Sequence, residues 1–283
     1  MPGPGAGDPG RRVPPPAGPA GRGPAPAYGR LRAVTPLAAV VLQDNPSPMT
    51  LEGTNTWVLR APGERECVVV DPGDDDPAHQ ARVAAHGPVA LVLLTHRHHD
   101  HAAGARRLAA LTGAPVRALN PSLVLGSEAL GAGDVVAAAG CELRVVATPG
   151  HTADSLSFRL DGPGTGPAVL TGDTVLGRGT TVIAHPDGAL GPYLQSLRRL
   201  ADLPDGTAAL PGHGPELPDV ASAARAYLAH RAERLEQVRA ALAALGPDAT
   251  ARQVVERVYA EVDRALWPAA EASVRAQLAY LHG

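Results

Sequence analysis

The chain has 283 residues, a formal net charge of −3 and 45% hydrophobic residues, enough for one large domain and a small one. That charge balance supplies no global basic field for nucleic acid, so no DNA partner is expected, and no apolar run approaches the length of a membrane span. The only cysteines, Cys67 and Cys141, lie in or beside apolar runs; they read as buried free thiols rather than a disulfide framework, which fits a cytoplasmic location.

Residues 1–27 hold nine prolines and seven glycines and almost nothing to bury. The chain is therefore expected to open with a disordered Pro/Gly-rich tail, residues 1–30, without the apolar core of a secretory signal. Strand-like sequence begins at Leu31, and Leu37 to Leu42 is apolar. A Pro-, Thr- and Gly-rich loop over 45–55 follows. Thr56–Leu59 and Glu66–Val70 read as a hairpin around Pro62-Gly63. Pro77–Ala85 looks helical. Val89–Leu94 reads as a buried strand after Pro88, and Ala102–Leu111 as the start of a helix. Strands are expected near 115–119, 142–147, 156–160, 168–170 and 207–210, and a helix over 192–200. After Pro218 the character changes. Val220–Leu245 is a long helix rich in Ala, Arg and Leu. Thr250 with Gln253 forms a capping-box pattern that opens a helix to about Glu261. Pro268 suits the first turn of a third helix.

One stretch carries most of the chemistry. In Thr95-His96-Arg97-His98-His99-Asp100-His101, four ligand-type side chains crowd the turn between a strand and a helix. On an extended segment His96 and His98 point the same way, so both can reach one metal. Asp100 and His101, past the turn, can reach a second. Imidazole and carboxylate suit zinc, with iron or manganese as other divalent candidates. His151 and His213 each follow a Pro-Gly pair after an apolar run, and Asp173 follows another apolar run. Asp71 closes the strand Val68-Val69-Val70 ahead of Pro72-Gly73. Of the other histidines, His79, His86 and His282 read as surface residues. His185 could line a cleft, and His230 with Arg231 could contact an anionic substrate from the long helix.

The set Thr-His-x-His-x-Asp-His at 95–101, Pro-Gly-His-Thr at 149–152, Gly-Asp-Thr at 172–174 and Pro-Gly-His-Gly at 211–214, with Asp71 before them, closely resembles the metallo-β-lactamase superfamily. The resemblance implies an α/β fold, the αββα metallo-β-lactamase sandwich, with metal ligands in loops at one edge. It puts His96, His98 and His151 on one zinc ion and Asp100, His101 and His213 on a second. Asp173 bridges the two, and Asp71 stands behind the ligands. More of the chain resembles the β-lactamase-like protein 2 group, through Asn45-Pro46-Ser47-Pro48-Met49-Thr50-Leu51-Glu52-Gly53-Thr54-Asn55-Thr56 and through a small C-terminal winged-helix-like domain. The expected layout is a metallo-β-lactamase domain over 31–218 and a helical domain over 219–283.

The resemblance implies a two-zinc hydrolase in which a metal-bound hydroxide attacks an ester, thioester or phosphodiester, with Asp100 and Asp173 as the catalytic carboxylates. Asp100-His101 and Asp173 together look like the glyoxalase II and ribonuclease Z branches. The 39 residues between Asp173 and His213 leave no room for the inserted domain of the RNA-processing branch. Single-stranded RNA is a candidate substrate by resemblance, yet aromatics are only 3% of residues and RNA binding needs basic grooves and stacking rings. A glyoxalase II-like thioesterase and a metal-dependent oxidoreductase of the same fold are the alternatives.

Overall fold

Side-chain alternation along a few central strands sorts this chain into layers. The computed structural model describes residues 26–162 and 166–282; most of the expected N-terminal tail, residues 1–25, lies outside them. The first sheet runs β1 (Leu31–Ala33), β2 (Ala38–Leu42), β3 (Asn55–Leu59), β4 (Cys67–Val70), β5 (Val89–Leu93) and β6 (Val116–Arg117) in spatial order. Its first four strands form an antiparallel meander, and β4, β5 and β6 run parallel. The second sheet contains β7 (Val135–Ala138), β8 (Cys141–Ala147), β9 (Leu156–Asp161), β10 (Ala168–Gly172) and β11 (Ala208–Pro211). Its spatial order is β11-β10-β9-β8-β7, and only β10 with β11 is parallel.

Trp57, Leu59, Val68, Val70, Leu91 and Leu93 face inward and meet Leu143, Val145, Phe158, Leu160 and Leu170 of the second sheet. Their neighbours Val58, Val69 and Val92 point outward, where Val83 and Leu108 of two helices cover them. Both faces of β4 and β5 are thus buried, which is why these strands read as unbroken apolar runs. The covering helices are α1 (Pro77–Ala84), the short α2 (His99–Ala102) and α3 (Ala105–Thr112). Asp76 caps α1 by accepting from Ala78 N–H, with Pro77 in the first turn. The single helix expected from Ala102 is divided at Gly104. A Cβ there would lie 2.1 Å from Gln80 Nε2.

On the outer face of the second sheet, Val169 and Ala209 pack under Tyr193 and Leu197 of α4 (Leu190–Ala201) and under Val220, Ala224 and Tyr227 of α5 (Val220–Leu245). Asp219 caps α5 through Ser222 N–H at 2.9 Å. The far half of α5, with Val238 and Ala241, forms a second small core with α6 (Ala251–Val258) and α7 (Trp267–His282) through Val254, Val255, Trp267 and Val274. Thr250 and Gln253 make the capping box. Helix α6 stops at Val258, short of the expected Glu261. Among the described residues after Asp219 there are helices and no strand, and no helix is long and apolar enough to cross a membrane. Both cysteines are free and buried.

Strand β7 has no counterpart in the sequence reading. It is an edge strand whose Val136 alone is fully buried, so no clear alternation marks it. Its tight turn to β8 uses Ala139 and Gly140, both at positive φ (50° and 69°).

Candidate metal centre

Because β4 and β5 run parallel, as do β10 and β11, the carboxyl ends of each pair lie side by side. Asp71, the 95–101 turn, Asp173 and His213 leave from those ends. The two sheets are tied together there. Leu156 N–H donates to Thr95 O at 2.7 Å and Asn55 N–H to Gly212 O at 2.8 Å.

Three groups of side chains each bring one donor atom within 4.8 Å of one another: His96 with His98 and His151, His96 with His101 and Asp173, and Asp100 with His101 and His213. His98 Nδ1 lies 3.0 Å from His96 Nε2 and 2.9 Å from His151 Nε2. His101 Nε2 and His213 Nε2 are 3.1 Å apart. Asp173 reaches both sides. Its Oδ1 is 3.4 Å from His101 Nε2, and its Oδ2 is 3.6 Å from His151 Nε2 and 3.5 Å from His213 Nε2. Asp100 Oδ2 is 3.1 Å from His213 Nε2.

Four of the rings are aimed from behind, His96 by Thr95 Oγ1, which lies 3.0 Å from its Nδ1. Asp71 Oδ2 accepts from His101 Nδ1 at 2.8 Å and from Thr95 Oγ1 at 2.6 Å, and its Oδ1 accepts from Thr95 N–H at 2.8 Å. His151 Nδ1 donates to Val182 O at 2.7 Å, and His213 Nδ1 to Gly53 O at 3.1 Å. A proton held on Nδ1 leaves the Nε2 lone pair facing the cluster. Gly53 can sit this close only as glycine: its φ is +139° and a Cβ would lie 2.1 Å from Gln43 O.

The donor set calls for positive charge. Burial, reinforced by His101, holds the His96 imidazole well below its usual range, and burial with His151 brings His98 down to about 4. Burial also opposes charge on His101 and His213. For His101, Asp173 and Asp71 outweigh it and raise the ring well above the usual range; for His213, Asp173 and Asp100 raise it to about 9. Burial opposes ionisation of Asp173, yet His213 and His101 hold its carboxyl well below the usual carboxylate range. Asp100, against the same burial effect, sits at about 2 beside His213. Three carboxylates thus face five imidazoles in a mostly buried space, and Asp173 Oδ1 has no hydrogen-bond partner. Buried carboxylates require compensating charge. Metal cations would supply it in place of protons on His101 and His213, so the residues fit a metal centre.

The remaining sequence candidates lie elsewhere. Arg231 is only 4% exposed. Its guanidinium donates to Thr181 O and lies 5.3 Å from the centre of the Tyr193 ring, so packing removes it from contact with a substrate arriving from solvent. His230 is half-buried and accepts from Arg234, one turn along its own helix, at 3.4 Å. His185 is exposed and does not line the cavity over the site. His79, expected at the surface, is 1% exposed and bonds to Thr56 Oγ1 at 2.9 Å. The sequence reading missed Thr95, Thr181 and the carbonyls of Gly53 and Val182. A backbone carbonyl carries no side-chain signature.

Comparison with known proteins bears on the fold and the family. The chain is 38% identical over 160 residues to a hydroxyacylglutathione hydrolase of Pseudomonas putida (strain W619), a match covering 56% of this chain and 60% of that protein. It is 35% identical over 191 residues to an atrochrysone carboxyl ACP thioesterase of Aspergillus fumigatus, covering 64% and 57%. With a beta-lactamase-like protein 2 homolog of Caenorhabditis elegans it shares 31% over 193 residues, covering 64% and 62%. The matched part therefore spans less than two thirds of these relatives. A beta-lactamase domain protein from Burkholderia ambifaria superposes with a TM-score of 0.72 at 24% identity, covering 91% of this chain and 89% of that one. A family model described as beta-lactamase associated winged helix domain matches residues 250–282. The model of the metallo-beta-lactamase superfamily matches residues 49–213, more than half of the chain and the whole span from Asp71 to His213; the chain belongs to that superfamily.

Proposed function

We propose that this protein is a dinuclear, zinc-dependent hydrolase of small acyl esters or thioesters. The observation that carries the reading is the position of Asp173, within 3.6 Å of ligand nitrogens in both histidine groups. A carboxylate so placed suits two divalent ions, which need a bridging anion. His96, His98 and His151 would hold one ion, and Asp100, His101 and His213 the other. When bound, the ions would acidify water and polarise the attacked group. Asp71, which accepts from His101 Nδ1, keeps that ring's Nε2 free. Asp100, whose side chain is 27% exposed, is the carboxylate at which a proton from the attacking water can be received.

The wall above the site supports this substrate class. A cavity of about 170 Å³ opens over His151 and Asp173, with Pro48, Met49, Leu51 and Leu176 among its lining residues. Its lining includes no Phe, Tyr or Trp ring on which a nucleobase could stack. A short acyl chain suits this apolar wall better than single-stranded RNA does. The names of the Pseudomonas and Aspergillus relatives, a hydroxyacylglutathione hydrolase and an atrochrysone carboxyl ACP thioesterase, point the same way.

The test is a substrate panel on zinc-loaded full-length protein: an acyl thioester, a small ester, a chromogenic phosphodiester, single-stranded RNA and a β-lactam. Turnover of the thioester or ester well above the others is expected. Cleavage of RNA alone would reverse the assignment. Oxygen consumption with an iron-loaded sample and no hydrolysis would favour the oxidoreductase alternative.

A further inference from the structure

The stretch between β10 and α4, residues 173–189, has neither helix nor strand, although it begins with Asp173 and contains Thr181 and Val182 beside His151. A segment of that length without regular structure needs outside support to hold one shape. The support comes from three buried polar side chains on α4 and α5. Tyr193 OH donates to Thr174 O at 2.8 Å, Tyr227 OH accepts from Leu176 N–H at 3.1 Å, and Arg231 donates to Thr181 O.

Arg231 is the unusual member. Among the described ion pairs none involves it, and its Nε is buried without a partner. A buried guanidinium without a carboxylate is a net cost to stability, so its worth lies in what it places. It touches the ligand loops by two routes. Through Thr181 it acts on His151 at one remove, because Thr181 Oγ1 is 3.2 Å from His151 Nδ1 and the next carbonyl, Val182 O, accepts from that same atom. It also lies 5.3 Å from the centre of the Tyr193 ring, and the backbone of that residue packs against the turn before His151, where a Cβ on Gly150 would lie 2.3 Å from Tyr193 Cα.

We propose that Arg231 is a positioning residue: from the C-terminal helix α5 it fixes the 174–182 segment and so sets the orientation of His151 toward the metal. The proposal rests on the metal reading above. It makes α5 part of the centre's geometry without giving Arg231 any contact with substrate.

The experiment loads full-length protein with cobalt(II) and compares wild type, Arg231→Met and Arg231→Lys by visible absorption, by the rate at which a chelator strips the metal, and by melting temperature. Wild type should take up cobalt. Arg231→Met should fold yet show an altered cobalt spectrum and lose metal at least about ten-fold faster. Arg231→Lys, which keeps the charge but not the planar fork, should fall between them. On a thioester, kcat should drop with KM little changed. A folded Arg231→Met with the wild-type spectrum and stripping rate would overturn the proposal. Should that variant fail to fold, Arg231→Lys and Thr181→Val decide by the same criteria: wild-type spectra in both would overturn it. A wild-type protein that binds no cobalt would remove the metal reading itself, an outcome separate from any variant.

Discussion

Replacing Asp71 by Asn tests the centre with little steric disturbance. Asp71 has a positive φ of 52°, a conformation that Asn also tolerates, so the backbone need not move. What changes is one acceptor. The carboxylate accepts three hydrogen bonds: Thr95 N–H at 2.8 Å, Thr95 Oγ1 at 2.6 Å and His101 Nδ1 at 2.8 Å. An amide with its oxygen on the Thr95 N–H side turns its NH₂ toward His101 Nδ1. Two donors then face each other unless His101 moves its proton to Nε2, the atom that points at His213 and Asp173. That proton would occupy the ligand lone pair. Losing a partner of this kind is worth about ten- to hundred-fold in metal affinity, or about 1.4–3 kcal/mol. The same range follows from one lost charge-assisted hydrogen bond, about 1.5–3 kcal/mol. Competition with a chromophoric chelator should show the affinity of the Asp100/His101/His213 group falling by this factor while the His96/His98/His151 group changes less. Two affinities equal to wild type, with full turnover, would refute the tautomer argument.

Metal analysis of zinc-supplemented wild type should approach about two ions per chain, and Asp173→Ala should reduce both occupancy and hydrolysis; saturation at one ion would reject the bridge. Burial depresses the His79 ring from 6.5 to about 4, so the native state holds fewer protons than the unfolded one. The neutral ring's contribution is fully present above pH 6.5 and is lost as pH falls toward 4. At about 1.4 kcal/mol per pH unit this amounts to roughly 3 kcal/mol, and His79→Gln should flatten the melting temperature between pH 6.5 and 4 relative to wild type; an unchanged slope would contradict this. Gly150→Ala sets a Cβ 2.3 Å from Tyr193 Cα at a φ of +139°, and denaturant titration should show a loss of at least about 2 kcal/mol.

The division between sequence and tertiary structure follows the range of each interaction. His96, His98, Asp100 and His101 fall within six positions at a strand-to-helix turn, and Asp71, His151, Asp173 and His213 each close an apolar run. Strand alternation and turn chemistry are local, so most strands, the crowded turn at 96–101 and the capping box at Thr250 were readable without coordinates, whereas the two-sheet sandwich and the division of the ligands entered through the resemblance of the motifs to a family. Edge strand β7 was not readable, because only one of its side chains is fully buried and its neighbours leave no periodic mark. The surroundings of the ligands were hidden for a different reason. Gly53 O and Val182 O are backbone atoms brought to His213 and His151 across 160 and 31 residues, and no residue type announces such a role. Burial decided the rest. His79 faces the sheet because α1 lies on it, and Arg231 turns inward because α5 packs over Tyr193. A lone His or Arg on a helix has the same sequence signature whether its face meets water or protein; only the packing of the second layer tells them apart.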